Sequence, residues 1–462
     1  MKKNRFFSVT MVCLIMVCFS VQYSCNSGRS ATFQKIKRAV DAIWIVDTHE
    51  HFGKETSRIE SVVDFFSLVI GYLQADMLSS GMSNDELTFM LDNKKPLEER
   101  WKVFYPHWEK AKNTGYGLCL QATVKGLFDI DDINKNTFPE INRKMVESNK
   151  KVGWYQHVLK DKSHIDVSIV DPLANYPPTL ANYPADFFVR VKRFDDFIVV
   201  NSNNFTALEK QYDVKISSLS DYLNVLDKAF DKAVEEGNVG VKSGLAYGRK
   251  LHYEDVPRDE AELLFSRVDK FPQVLNKDDF RKLEDFMFHQ VIARAEKYGL
   301  PIQIHTGSLS RNFRSNPIEN TNAAHLSNLF VKYKKAKFVI FHGSYPYMAE
   351  LSYLAKHYPN VYIDMCWMHI ISPSSSTRYL EEWLFTVPSN KIMAFGGDAS
   401  VEWAFGHSVL ARKIVTETLV KMVNDGYYTE DEAIVIAERI LRKNAIDLFK
   451  LEKKNNNWGK SI

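Results

Sequence analysis

Cysteine is scarce in this chain of 462 residues: there are five, and Cys13, Cys18 and Cys25 fall within the first 25 positions. Only Cys119 and Cys366 remain, too few for the disulfide framework that staples small exported domains. Net charge is small too. The formal value is +3, and Lys2, Lys3 and Arg5 are the only charges among the first 25 residues, so the chain without that stretch is neutral. A neutral chain offers no general electrostatic footprint for nucleic acid. With 15 Pro and 20 Gly, collagen-like repeats and Pro/Gly-rich disorder are excluded, and a hydrophobic share of 45% is that of an ordinary folded, enzyme-sized protein. No Gly-x-Gly-x-x-Gly follows the first strand-like run, which argues against dinucleotide binding there.

Long uncharged apolar runs are absent after the N-terminus, where Phe6 to Val21 forms the one exception. Behind a basic start (Lys2, Lys3, Arg5) and ahead of Ser24-Cys25, this run reads as an export signal, since it falls short of the roughly 20 residues that span a bilayer. A small residue directly before Cys25 resembles the lipobox of bacterial lipoproteins, in which the cysteine is lipidated after cleavage. The resemblance implies a periplasmic or membrane-anchored protein. Residues 1–25 are therefore read as signal, 26–40 as linker, 41–453 as the folded body and 454–462 as a solvated tail.

Within the body, short β-branched runs alternate with segments of helical period. The runs are Ile43 to His51, Ile165 to Asp171, Phe187 to Phe194, Val239 to Leu245, Pro301 to Thr306, Phe338 to His342, Val361 to Cys366 and Ile392 to Gly396. Helical partners are clearest at Leu219 to Glu236, Phe280 to Tyr298, Tyr347 to His357 and Ser408 to Asn424. Eight strands alternating with helices predict an α/β fold, a (β/α)8 TIM barrel, with an open doubly wound sheet as the alternative. More than a hundred residues separate the first two strands. Asp64 to Leu78, Asn84 to Asp92, Leu97 to Lys112 and Asp131 to Lys150 look helical there, so a helical insertion over about 53–160 is expected above the barrel mouth. Its aromatic cluster of Trp101, Phe104, Tyr105 and Trp108 is read as packing.

Polar residues at the carboxyl ends of barrel strands converge on one mouth. The first run ends Asp47-Thr48-His49-Glu50-His51, and side chains two apart on a strand share a side, so His49 and His51 can meet one cation. His305, His342 and Asp398 close or follow the later runs. Asp47 is expected to support the histidines from behind. Glu50 alternates to the other face and reads as structural, and His369 and His407 read as ordinary.

The order His-x-His on strand one, His on strands five and six, and Asp on strand eight resembles the amidohydrolase superfamily of metal-dependent barrel enzymes. Within it, the likeness is to the amidohydrolase-related group, which includes decarboxylases and lactonases and is related to uronate isomerases. The resemblance covers about residues 41–449. It implies that His49, His51 and His305 bind a divalent metal, with Asp398 as a further ligand or proton acceptor. His342 would be a second-metal ligand or a catalytic electrophile and proton carrier. Lys242, in Val239-Gly240-Val241-Lys242, looks like the carbamylated lysine that bridges two ions in some members. Left as a protonated amine, it would instead bind an anionic substrate together with Arg249. One ion and two both remain open.

Three imidazoles and a carboxylate suit Zn²⁺ and tolerate Mn²⁺ or Fe²⁺. The expected reaction is attack of a metal-activated water on an amide, lactone or ester of a small molecule. Isomerisation or decarboxylation of a small carboxylic acid is the first rival, and an unreactive cell-surface binding protein the second.

Overall fold

The structure, a computed structural model, describes residues 31–172, 187–268, 270–310 and 316–454. The expected signal, Cys25 and all but the first residue of the tail lie outside them. Residues 31–42, where a linker was expected up to residue 40, form a helix whose Ile36 and Val40 are buried. Two apolar residues four apart make one face, and burying that face is what a linker cannot do.

Each of the eight runs contains a strand: β1 (Ile45–Glu50), β2 (Ile165–Val170), β3 (Phe188–Arg193), β4 (Gly240–Ser243), β5 (Ile302–Ile304), β6 (Phe338–Ile340), β7 (Val361–Asp364) and β8 (Ile392–Met393). They pair in parallel in chain order from β1 to β8. Beyond β8 the chain returns to β1: the Thr48 amide donates to the Phe395 carbonyl at 3.2 Å and the Asp398 amide to the His49 carbonyl at 2.9 Å. The expected barrel is thereby borne out, and the open sheet is excluded. Nearly continuous burial along β1 and β2 explains why their sequences read as apolar runs rather than alternations.

The segment between β1 and β2 is helical, with boundaries that the periodicity did not foresee. Asp64 to Leu78 is not one helix. A short turn of helix at Phe65–Leu68 and a helix at Leu73–Ser79 are separated by Gly71, whose φ of +120° no helix accommodates. Helix Gly115–Phe128 was missed altogether, because Gly115, Gly117 and Gly126 depress its intrinsic propensity. Those glycines serve packing. A Cβ on Gly126 would meet the Phe405 ring at 2.0 Å, and one on Gly406 would meet the Cys119 carbonyl oxygen at 2.4 Å. Through these contacts the insertion lies directly on helix Val401–Asn424, which follows β8. Because the obstacle at Gly406 includes backbone, Gly406→Ala is expected to destabilise the protein by about 1–3 kcal/mol, measured by denaturant unfolding.

The aromatic cluster of the insertion is packing, as expected. Trp101 stacks on Phe138 with centroids 4.2 Å apart, and Phe104 and Trp108 are fully buried.

Candidate active site

A cavity of about 660 Å³ opens where the carboxyl ends of the strands converge, and His49, His51, Lys242, His305 and Asp398 all line it. Strand alternation puts His49 and His51 on the same side, with ring centroids 4.7 Å apart. The loop after β8 brings Asp398 to them: its Oδ1 lies 3.4 Å from His51 Nε2 and 3.9 Å from His49 Nε2. Donor atoms sharing one tetrahedral ion at bonds of about 2.1 Å stand about 3.4 Å apart, so this spacing fits a divalent cation.

The supporting contacts favour the ligand form of each imidazole. His51 Nδ1 donates to the Asp171 carbonyl at 2.8 Å, which leaves Nε2 as a lone pair facing Asp398. Burial, reinforced by the cation of Lys242, pushes His49 well below its ordinary pKa and keeps it neutral. His49 Nδ1 finds no hydrogen-bond partner among the described residues. Burial alone would raise the Asp171 carboxyl, yet the Arg193 guanidinium bonded to it holds it below the ordinary value.

His305 and His342 form a second unit. His305 Nδ1 and His342 Nε2 are 3.0 Å apart, His342 Nδ1 faces the Cys366 carbonyl at 3.0 Å, and His305 Nε2 faces the Ser308 carbonyl at 2.9 Å. These three contacts call for three N–H groups, whereas two neutral imidazoles supply two. The pair thus has a built place for one more proton, while burial, with Lys242, pushes His342 down to about 3. His342 lies behind His305 and does not line the cavity. It gathers with Cys366 and Asp398 within 4.8 Å; His305 belongs to neither that cluster nor the one formed by His49, His51 and Asp171.

Lys242 is 2% exposed, its Nζ sits 3.7 Å above the Phe341 ring, and it finds no hydrogen-bond partner among the described residues. Burial lowers its pKa from 10.5 to about 8, against the opposing pull of Asp171. A depressed lysine costs folding free energy while it is charged in both states, about 3 kcal/mol here, and that cost is relieved as pH rises from about 8 to 10.5. Lys242→Met is therefore expected to stabilise the metal-free protein at neutral pH by about 1–3 kcal/mol, after loss of the ring contact. Unfolding measured across pH should show wild-type stability rising relative to the variant between those two values.

Arg249, expected beside Lys242 as a substrate-binding group, is not among the lining residues. Its guanidinium is bonded to Glu284 at 2.7 Å, to Asp285 and to the His252 carbonyl at 2.8 Å, and it covers the Tyr253 ring. Proximity in sequence misled because the chain leaves the cavity after Tyr247. Among the described residues the arginine that lines the cavity is Arg193, at the end of β3, held by Asp171 and by Asp195 at 3.6 Å. Arg193 and Asp171 close their strand runs in the same way as His305 does, so the rule that picked out the histidines would have found both. Tyr72, from the insertion, also lines the cavity and stacks on Trp367 at 4.4 Å; no signal in the sequence marked it.

Comparison with known proteins agrees with this fold. The chain is 29% identical over 240 residues to Protein fluG of Emericella nidulans, which covers 50% of this chain and about a quarter of that protein's length, 27%. Its fold is similar to that of glucuronate isomerase from Caulobacter crescentus (TM-score 0.76, 18% identity, 93% of this chain and 95% of that one). It is also similar to that of a Lactobacillus casei protein described as a metal-dependent hydrolase (TM-score 0.63, 18% identity, 90% and 98%). Residues 232–451, which carry Lys242, His305, His342 and Asp398, match the amidohydrolase family model. That match, over just under half of the chain, bears out the resemblance to the amidohydrolase family for the portion carrying His305, His342 and Asp398; His49 and His51 lie outside it.

Proposed function

We propose that the protein is a metal-dependent hydrolase that uses an activated water to cleave an amide, lactone or ester bond of a small substrate. The reading rests above all on Asp398 Oδ1 lying 3.4 Å from His51 Nε2 and 3.9 Å from His49 Nε2 in the lining of an open cavity. These three would hold the ion, a set that suits Zn²⁺ and tolerates Mn²⁺ or Fe²⁺; His305, expected as a further ligand, has both ring nitrogens engaged, Nδ1 with His342 and Nε2 with the Ser308 carbonyl. Bound there, a divalent ion supplies a Lewis acid that brings the pKa of water to about 7.

The remaining steps belong to the chain. Asp398 accepts the proton of the attacking water and delivers it to the leaving group. Lys242, whose amine has no acceptor among the described residues, supplies hydrogen-bond donors to negative charge developing on the substrate carbonyl. The His305–His342 pair stays neutral, since burial holds both imidazoles below their ordinary values, and the contact between them holds the His305 ring against the cavity. Tyr72 and Trp403 contribute aromatic surface to the cavity lining and limit water there.

A second reading, isomerisation or decarboxylation of a small carboxylic acid, is favoured by one observation: two cations, Lys242 and Arg193, face the same cavity. The export signal and the lipid on Cys25 belong to the proposal as well, on the strength of the basic start, the apolar run and the small residue before the cysteine.

The test is metal analysis of the purified protein followed by a screen of amides, lactones, esters and uronates. Expected are a bound divalent ion, hydrolysis abolished by chelation, and recovery on adding Zn²⁺. Conversion of uronates without hydrolysis selects the second reading. Absence of metal, together with ligand binding indifferent to chelators, sinks both.

A further inference from the structure

Asp398 sits in a backbone conformation that an L side chain adopts only when its surroundings impose it, with φ of +49°. The surroundings are unusually complete. The Gly397 amide donates to Asp47 Oδ1 at 2.9 Å, the Asp398 amide to the His49 carbonyl at 2.9 Å and the Ala399 amide to Glu50 Oε2 at 2.8 Å. From the opposite side His407 Nδ1 donates to the Gly397 carbonyl at 3.0 Å, and the Tyr72 hydroxyl donates to the Asp398 carbonyl.

Three successive amides are thus held by β1 and its side chains, and the two carbonyls between them by groups from elsewhere in the fold. The proton count of the His407 side is consistent: with Nδ1 donating to Gly397, its Nε2 accepts from His369 Nδ1 at 3.1 Å. A further observation shows how tightly Glu50 is set. A Cβ on Gly397 would lie 1.8 Å from Glu50 Oε1, so the carboxylate occupies the space that any other residue there would need.

We propose that Glu50 and His407, neither of which faces the cavity, are positioning residues that fix the Asp398 carboxylate relative to His49 and His51. The middle residue of His-Glu-His thereby has a task of its own: it points away from the ion and grips the loop that brings in the third donor. The inference rests on the reading of Asp398 as a donor to the ion, and Tyr72 extends the same cage into the helical insertion.

The experiment measures Zn²⁺ dissociation constants by competition with a chromogenic chelator for wild type, Glu50→Ala, Glu50→Gln, His407→Phe, Asp398→Ala and the Glu50→Ala/Asp398→Ala double variant, with melting curves for each. Partners behind a ligand are worth about 10–100-fold in metal affinity. Glu50→Ala and His407→Phe are expected to weaken Zn²⁺ at least about tenfold, by no more than Asp398→Ala does. Glu50→Gln, which still offers an oxygen to the Ala399 amide, should restore affinity to within about threefold of wild type. Because Glu50 acts through Asp398, the double variant should bind no more weakly than Asp398→Ala alone. Losses that multiply in the double variant, or a folded Glu50→Ala or His407→Phe with wild-type affinity, overturn the proposal. So does failure of both single variants to fold, since the contacts would then be foundations of the barrel rather than settings of one carboxylate. A wild-type protein that binds no Zn²⁺ would instead defeat the functional reading on which the inference stands.

Discussion

His49→Ala should leave the purified protein with its fold and without its metal. The side chain is 1% exposed, at the carboxyl end of a strand buried along its whole length, and its Nε2 lies 3.9 Å from Asp398 Oδ1. Removing an outer partner of a metal ligand typically costs 10–100-fold in affinity, so removing a ligand outright should cost more than about 100-fold. Stability should move less than the size of the ring suggests, because the imidazole is held neutral by burial and its Nδ1 satisfies no partner among the described residues. Arg249→Ala provides the contrast. It strips Asp285 of its guanidinium partner and should lower the unfolding midpoint, yet metal per folded chain should stay at the wild-type level, since Arg249 is outside the cavity. Elemental analysis of both variants after gel filtration, with melting curves alongside, decides the matter. Full metal in His49→Ala would dismiss the proposed centre.

The contrast also marks what the sequence could tell. All eight strands were legible because parallel barrel strands are buried on both faces and therefore read as uninterrupted apolar runs. The histidines and Asp398 were legible because strand ends meet at one mouth. Arg193 and Asp171 were equally available to that rule and were passed over for Arg249, the basic residue nearest to Lys242 along the chain. What could not be read was anything set by distant packing. Helix Gly115–Phe128 exists because its glycines let it approach helix Val401–Asn424, a contact spanning nearly three hundred residues. Glu50 read as structural because period-two alternation says which side of a strand a residue faces, and says nothing of the loop waiting on that side. His407 looked ordinary because a helical histidine carries no local mark of the carbonyl it will meet.

Asp398→Asn should abolish nearly all turnover while sparing the geometry around it. Asparagine matches aspartate in size, and the five contacts of the cage act on backbone groups of residues 397–399, none of which the substitution alters. The amide oxygen can still approach the ion, so metal affinity should fall less than in His49→Ala. The amide cannot accept a proton, and loss of a general base costs about 100- to 10,000-fold in rate. The sign of the pH effect follows from which form is active. In wild type the carboxylate must be ionised, so kcat/KM should rise with pH as Asp398 loses its proton. Burial pushes that titration up, while the Lys242 cation pulls it back. In Asp398→Asn that acid limb should be missing from whatever activity survives. Steady-state rates measured from pH 4 to pH 9 on metal-reconstituted enzyme test both halves of the claim. A variant that keeps more than about a tenth of wild-type kcat, or the same acid limb at reduced rate, would move the proton-accepting role from Asp398 to another group.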